Sequence, residues 1–264
     1  MKIQTKKWAF RLGLTTVLIA GLLLVIILKP ILTYAHMQGH NQFTIFNDKE
    51  PSREFIFQLD QASKLLAAST FYNSKLKLDI CLNDASLYPK MIQKIRGKAF
   101  AWGFYNKVVL QGTANYKNNY AELNGYKWNL FQLLAHEMVH CMQFNKLGFW
   151  KSNPMAKIPE WKWEGYAEYI ARREPYQENL SQNIEHHFSD ENKDGKSWAI
   201  KFADGTISPR TYYGYWILVQ YCMDVKKLSY EEILLNSEKE EDIRNEMMAW
   251  FQQNKAGHSY PSIH

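Results

Sequence analysis

The stretch that most constrains the fold of this chain is residues 132–143, QLLAHEMVHCMQ, which contains the motif H-E-x-x-H. Its two histidines, His136 and His140, are four residues apart and therefore lie on one face of a helix. Two imidazoles placed in this way can bind one Zn2+ ion, each through a ring nitrogen at about 2.0–2.1 Å. Glu137 is then beside the metal without being a ligand, which suits a general base that acts on a metal-activated water. The apolar neighbours predict a buried helix, where such polar groups need partners or a metal.

Composition indicates one sizeable domain and gives no support to nucleic-acid binding. The 264 residues are 46% hydrophobic, which is enough for a single core with an appendage. The net charge is +6, but the first 29 residues contain five basic side chains and no acidic one, so the remainder is nearly neutral. The three cysteines, Cys81, Cys141 and Cys222, form no C-x-x-C motif. A cysteine zinc site is therefore not expected, whereas a disulfide between Cys81 and Cys222 stays open.

The N-terminal segment predicts attachment to a membrane. Residues 1–11 are a basic leader, and the uncharged run that follows predicts a transmembrane signal-anchor over residues 12–32, in contact with the lipid bilayer. Because positive charges hold the preceding end in the cytoplasm, we expect a single-pass protein whose remaining chain is extracytoplasmic. The small residues around Ala35 leave an alternative, in which the leader is cleaved there and the protein is secreted.

After the anchor, we expect a polar linker over residues 33–53 and one domain over residues 54–264. Strict alternation over 75–82 predicts a half-buried strand, and residues 99–112 predict two strands joined near Tyr105. The second of these strands, at 108–110, is expected to be an edge strand beside the site. An edge strand can pair with an extended peptide through main-chain hydrogen bonds.

Helical patterns occur along the whole domain, at 54–69, 88–96, 127–146, 158–173, 209–225, 229–235 and 238–253. The C-terminal half is predicted to be entirely helical. A long polar excursion covers 176–208. Within it, residues 190–195 (DENKDG) resemble the first half of a calcium loop, but the twelfth position would be Lys201 instead of Glu. We therefore predict a solvated turn there.

Two histidines do not complete a catalytic zinc site, which usually has three protein ligands and one open position. The third ligand must come from outside the motif helix. Glu164 and Glu168 are the candidates, because they are four residues apart on one face of the next helix. Local spacing does not choose between them. The small residues Gly165 and Ala167 favour close packing of this helix on the motif helix.

Residues 159–169, PEWKWEGYAEY, following H-E-x-x-H, resemble the glutamate helix of gluzincin metallopeptidases, most closely the peptidase-MA-like bacterial domains. The resemblance extends over roughly 75–250, although only the His and Glu motifs are specific, and the G-x-M-E-N exopeptidase signature is absent. It implies that Glu164, which directly precedes Gly165, is the third zinc ligand. Glu168 would then orient a ligand or pair with a cation, the alternative being a simple surface salt bridge.

The resemblance also implies an α+β, zincin-like fold: a small sheet with an edge strand, the active-site helix, and an all-helical C-terminal half. It further implies a Zn2+-dependent peptidase that acts on peptide or protein substrates, with Glu137 as general base. Tyr212 is expected to stabilise the oxyanion, with Tyr213 and Tyr215 as rivals. The alternative is a catalytically inactive, zinc-binding extracellular module of the same type, with a role in binding or assembly.

Overall fold

The first helix is long and largely apolar, and its last turn contacts the rest of the fold. The computed structural model describes residues 2–174, 177–189 and 197–257. Helix α1 is Lys2–Leu28, and its segment Arg11–Leu28 is long and apolar enough to cross a membrane and is not buried by the rest of the protein. The helix ends before Pro30, which begins a short 3-10 helix, Pro30–Thr33. The apolar helix therefore stops four residues short of the predicted boundary at residue 32.

A five-stranded mixed sheet follows. Its strands are β1 (His36–His40), β2 (Phe43–Asn47), β3 (Leu78–Cys81), β4 (Ala101–Phe104) and β5 (Lys107–Leu110). Their order is β1-β2-β3-β5-β4, with β2, β3 and β5 parallel and the two outer strands antiparallel to their neighbours. Helices α2 (Arg53–Leu66) and α3 (Leu87–Arg96) connect the parallel strands.

This sheet corrects two predictions. The linker predicted over 33–53 is wrong at 36–47, where β1 and β2 form a hairpin, because Phe43 and Ile45 are buried in the core. The predicted edge strand at 108–110 is β5, which lies inside the sheet. The edge strand on this side of the sheet is β4, because β4 (residues 101–104) and β5 form a hairpin and β4 has no second neighbour in the sheet.

The motif helix, α4 (Leu130–Leu147), is held between the sheet, α2 and α5. A small antiparallel sheet leads into it, formed by β6 (Thr113–Asn115), β7 (Tyr120–Leu123) and β8 (Tyr126–Asn129). Asn129 caps α4, since its side chain accepts a hydrogen bond from the backbone N–H of Gln132. On the other side, a Cβ at Gly103 of β4 would overlap the backbone carbonyl of Glu137. The absent side chain therefore lets the edge strand approach the motif helix directly.

The second half of the chain is mainly, but not entirely, helical. Its helices are α5 (Glu160–Ala171), α6 (Leu180–His187), α7 (Arg210–Gln220), which continues as a π-helical turn Tyr221–Val225, α8 (Tyr230–Leu235) and α9 (Glu240–Gly257). A hairpin of β9 (Ala199–Lys201) and β10 (Ile207–Pro209) contradicts the all-helical prediction. These three-residue strands are too short to give a sequence pattern. The stretch 190–195, where a solvated turn was predicted, lies outside the described residues.

Helix α5 packs between α4 and α7, and its Gly165 faces α7 instead of the motif helix α4. A Cβ at Gly165 would lie 2.6 Å from the carbonyl oxygen of Tyr215 and 2.8 Å from Cγ2 of Val219. Gly165 therefore allows close packing of α5 on α7, and the prediction that it contacts the motif helix is wrong. Close packing of α5 on α7 fixes the rotation of α5 and hence the direction of Glu164.

The approach of β4 to α4 can be tested with two glycine variants of the full-length protein in detergent. Gly103→Ala is expected to lower the free energy of unfolding by about 1–3 kcal/mol, because the added methyl group meets backbone atoms that cannot rotate away. Gly39→Ala is the matched control, since a Cβ at this strand position meets no atom within 4 Å. The measurement is the midpoint of denaturant unfolding. Equal midpoints for the two variants would contradict the close approach of strand and helix.

Candidate metal centre

Three side-chain atoms converge on one point between α4 and α5. The Nε2 atoms of His136 and His140 are 3.1 Å apart, and each is 3.2 Å from Oε2 of Glu164. Two donors at about 2.05 Å from a zinc ion, separated by a tetrahedral angle, lie about 3.3 Å apart. Among the described residues, these three form the one group of three or more His, Cys, Asp or Glu side chains placed to bind a common metal ion. The cluster can therefore hold a metal.

The outer nitrogen of each imidazole faces an oxygen atom. Nδ1 of His136 lies 3.1 Å from Oε1 of Glu168, and Nδ1 of His140 lies 2.8 Å from the amide oxygen Oε1 of Gln143. The amide oxygen of Gln143 accepts a hydrogen bond, so Nδ1 of His140 carries the hydrogen and its Nε2 is left with a lone pair. Nδ1 of His136 faces Oε1 of Glu168 without forming a hydrogen bond of good geometry. The two Nε2 atoms and the Glu164 oxygen can together hold a cation at their centre.

The carboxylate of Glu168 is held by a buried arginine side chain. Arg172, one turn along α5, donates from Nε to Glu168, and both side chains are only 1% exposed. Arg172 also donates from Nη1 to the side chain of Gln132, at 3.2 Å, and Gln132 bonds in turn to Gln177. The Glu168–Arg172 pair is therefore buried and is not a surface salt bridge. Glu168 pairs with a cation and also lies next to His136, which agrees with both roles expected for it.

Gln143 is a residue of the site that sequence reasoning missed. Its amide nitrogen donates to the carbonyl of Trp163 and to the hydroxyl of Tyr230, which leaves Oε1 directed at His140. The side chain is completely buried. Gln143 is three residues after His140 and therefore on the same helix face, a spacing that could have identified it.

The charges around the cluster favour a bound cation. Burial opposes protonation of His136, but its contacts with the carboxylates of Glu164 and Glu168 outweigh it and raise its pKa to about 10. Burial also raises the pKa of Glu164, but His140 and His136 more than offset this and hold that pKa well below its usual range. The carboxylates therefore favour positive charge next to them, which a divalent cation can supply.

Glu137 lies beside the cluster without belonging to it. Its side chain is buried and lines the same cleft, and the backbone of Gly103 on β4 hydrogen-bonds its carboxylate. Burial raises the pKa of Glu137, and the neighbouring imidazoles of His136 and His140 oppose this effect in part. The carboxylate is therefore held in the cleft wall close to the two imidazoles.

The site opens into a cleft of about 1120 Å³. Aromatic rings form much of its wall and pack against the ligands: Tyr212 stacks on His136 with ring centroids 5.9 Å apart, and Trp163 stacks on His140 at 5.5 Å. Residues 100–103, which include most of β4, form another side. A pocket with apolar walls and a few converging polar groups is typical of a binding or active site.

The three candidate tyrosines of α7 are in different surroundings. Tyr212 lines the cleft. Tyr213 is buried on the other side of the helix, where its hydroxyl donates to the carbonyl of Asn183 at 3.2 Å. Tyr215 is not part of the cleft wall, and its ring stacks on that of Tyr212 at 6.4 Å. Of the three, Tyr212 is therefore placed to reach a bound ligand, although its role stays a prediction.

The cysteines take no part in this site. Cys81, Cys141 and Cys222 are free and buried, so no disulfide joins Cys81 to Cys222. Burial raises the pKa of the Cys81 thiol well above its usual value. All three therefore act as small apolar core residues.

Comparison of the chain with protein-family models, with curated proteins and with solved structures found no match. The resemblance to gluzincins and the choice of metal therefore depend on the residues of the chain and on their geometry.

The ligand set can be tested by separating Glu164 from Glu168. We expect Glu164→Gln to be poorly metallated, because a direct ligand is lost, whereas Glu168→Gln should lose about 10–100-fold in metal affinity, the usual effect of removing a group that orients a ligand. Glu160→Gln is the control, since Glu160 lines the cleft outside the cluster. The measurement is zinc affinity by competition with a chromogenic chelator. A weaker affinity for Glu168→Gln than for Glu164→Gln would show that the two roles are reversed.

Proposed function

We propose that the protein is a membrane-anchored zinc metallopeptidase of the gluzincin type, which hydrolyses peptide bonds outside the cytoplasm. The observation that carries this proposal is the convergence of two imidazole nitrogens and one carboxylate oxygen, with a second carboxylate, that of Glu137, beside them in an open cleft.

The donor set supports zinc as the metal. Two imidazoles and one carboxylate, with a fourth position open to the cleft, are the ligands of a common class of catalytic zinc site. Calcium and magnesium favour sites made of oxygen atoms, and no second carboxylate belongs to the cluster in the described part of the chain. Bound zinc supplies a Lewis acid that activates water and polarises the carbonyl group of a substrate.

The residues around the metal then have separate tasks. Glu137 accepts a proton from the attacking water and later delivers it to the nitrogen of the leaving amine. His136 and His140 are oriented for this arrangement by Glu168 and Gln143. Tyr212, whose ring lies against His136, donates its hydroxyl proton in a hydrogen bond to the developing oxyanion.

The edge strand supports a peptide as substrate. Strand β4 is at the edge of the sheet and forms part of the cleft wall, next to Glu137. One side of its main chain has no partner strand within the sheet. An extended peptide can add to such an edge through main-chain hydrogen bonds, and this would place one of its peptide bonds next to the metal.

The N-terminal segment supports anchoring over removal of the leader. Helix α1 has the length and composition of a membrane span, and its basic leader favours a cytoplasmic N-terminus. Tyr34, just before the alternative cleavage position at Ala35, is a core residue: it is 9% exposed and its hydroxyl donates to the carbonyl of Leu82 at 2.9 Å. Cleavage there would remove a buried side chain from the fold.

The catalytic assignment is tested with Glu137→Gln. This variant should keep its zinc but lose about 10²–10⁴-fold in turnover of a mixed peptide library, because an amide cannot accept the proton. Glu160→Gln, a change of the same kind on the cleft wall, is expected to hydrolyse peptides at nearly the wild-type rate. Wild-type turnover by Glu137→Gln would contradict the role of Glu137. A wild-type protein that binds zinc and hydrolyses no peptide would favour the catalytically inactive module.

A further inference from the structure

Helix α3 has an exposed apolar stripe as well as a buried face. Tyr88 and Ile92 are buried in a small core cluster. On the other side, Leu87 and Ile95 are 64% and 59% exposed, and Met91, spaced four residues from each, is half-buried. Residues at this spacing form one continuous stripe along a helix. An exposed apolar stripe of this kind can mark a surface that contacts a partner or a membrane.

The start of α3 lies at the same level as the end of the apolar helix. The Tyr88 hydroxyl donates to the backbone carbonyl of Ile27, in the last turn of α1, at 2.6 Å. The segment Arg11–Leu28 contains 18 residues. At 1.5 Å per residue it is about 27 Å long, close to the roughly 30 Å of a hydrocarbon core. In a bilayer spanned by this segment, Tyr88 and its exposed neighbour Leu87 would lie at the depth where the hydrocarbon layer ends and the headgroups begin.

The 3-10 helix Pro30–Thr33 extends the same surface. It packs against α3, and its Ile31 and Leu32 are 48% and 61% exposed. These exposed apolar side chains and the stripe on α3 together form what we call the juxtamembrane surface: Ile31, Leu32, Leu87, Met91 and Ile95. Ile31 and Leu32 follow α1 almost directly in the sequence, and the first turn of α3 contacts the last turn of α1 through Tyr88.

Three lysine residues lie on or next to the two helices of the juxtamembrane surface. Lys29 precedes the 3-10 helix, and Lys90 and Lys94 are one turn apart on α3. Neither helix contains an acidic residue. Within the described ranges, no carboxylate lies within 4 Å of these three ammonium groups. Basic residues beside an apolar stripe are typical of helices that lie in the interface of a membrane with anionic lipids.

We propose that α3 and the 3-10 helix lie in the headgroup layer of the bilayer that α1 spans, with the juxtamembrane surface in contact with lipid. The inference depends on the proposed membrane anchoring and goes beyond it, because an anchor alone leaves the domain free to tilt. Lipid is the occupant because the surface begins at the depth of the last turn of α1. The docked helix also fixes the cleft relative to the membrane, since its last residue, Arg96, lines the cleft and stacks on Trp102 of β4 at 4.6 Å.

The test uses the full-length chain in vesicles of phosphatidylcholine and phosphatidylglycerol. Single cysteines at Leu87 and Ile95 are labelled with an environment-sensitive fluorophore and quenched by lipids that carry spin labels near the headgroup or, for the control position within the bilayer, near the end of the acyl chain. The native cysteines are buried and therefore protected from labelling. Leu235→Cys on α8, where the leucine is 87% exposed, is the control outside the membrane, and Leu18→Cys, where it is 64% exposed in α1, is the control within it.

We expect quenching at positions 87 and 95 to exceed that at 235 by roughly twofold or more, because interfacial helices are buried about 5–10 Å into the boundary between headgroups and acyl chains. Replacing Lys90 and Lys94 by Gln should reduce the quenching at 95 in vesicles with phosphatidylglycerol. Quenching at 18 but not at 87 and 95 would overturn the docking while sparing the anchor. No quenching at 18 would overturn the anchor itself. Labels at 87 and 95 that are shielded from water but not quenched by lipid would assign the surface to a protein partner and contradict the proposal.

Discussion

The candidate site depends on three side-chain atoms, two imidazole nitrogens and one carboxylate oxygen, that the fold holds close together. The two Nε2 atoms and the Glu164 oxygen are 3.1–3.2 Å apart, and the outer nitrogens of both imidazoles are directed to other oxygens. A cation at their centre can offset the negative charge of the neighbouring carboxylates. The fold fixes each of the three side chains separately: α4 carries both histidines, and α5 carries Glu164 and Glu168, the latter paired with Arg172 just beyond the helix.

Close packing of the main chain determines the relative positions of the candidate metal-binding side chains. Gly165 lets α5 lie against α7, which sets the rotation of the helix that carries Glu164. Gly103 lets the edge strand lie against α4, which brings the strand to Glu137. The contact at Gly103 is with main-chain atoms alone, and the contact at Gly165 is with the main chain of Tyr215 and the side chain of Val219. The cleft is therefore built around two close approaches, that of β4 to the motif helix and that of α5 to α7.

The local parts of this arrangement could be predicted from the sequence, and the non-local parts could not. The spacing of His136 and His140 is a property of a single helix, so their convergence was predictable. Spacing alone left Glu164 and Glu168 as equal candidates, and only the resemblance to gluzincins separated them. The strand order could not be predicted, because pairing of β2 with β3 and of β3 with β5 joins segments that are far apart in the chain. The predictions of a linker at β2 and of an edge strand at β5 fail for the same reason.

X-ray absorption spectroscopy at the zinc edge, on the full-length protein purified in detergent, tests the central claim most directly. We predict a four-coordinate zinc with nitrogen and oxygen ligands at about 2.0–2.1 Å and the outer-shell scattering of two imidazole rings. The imidazole signal should be lost when His136 and His140 are both replaced by Ala. A first shell of sulfur, or of six oxygen atoms, or an unchanged spectrum in the double variant would contradict the assignment of the metal to this site.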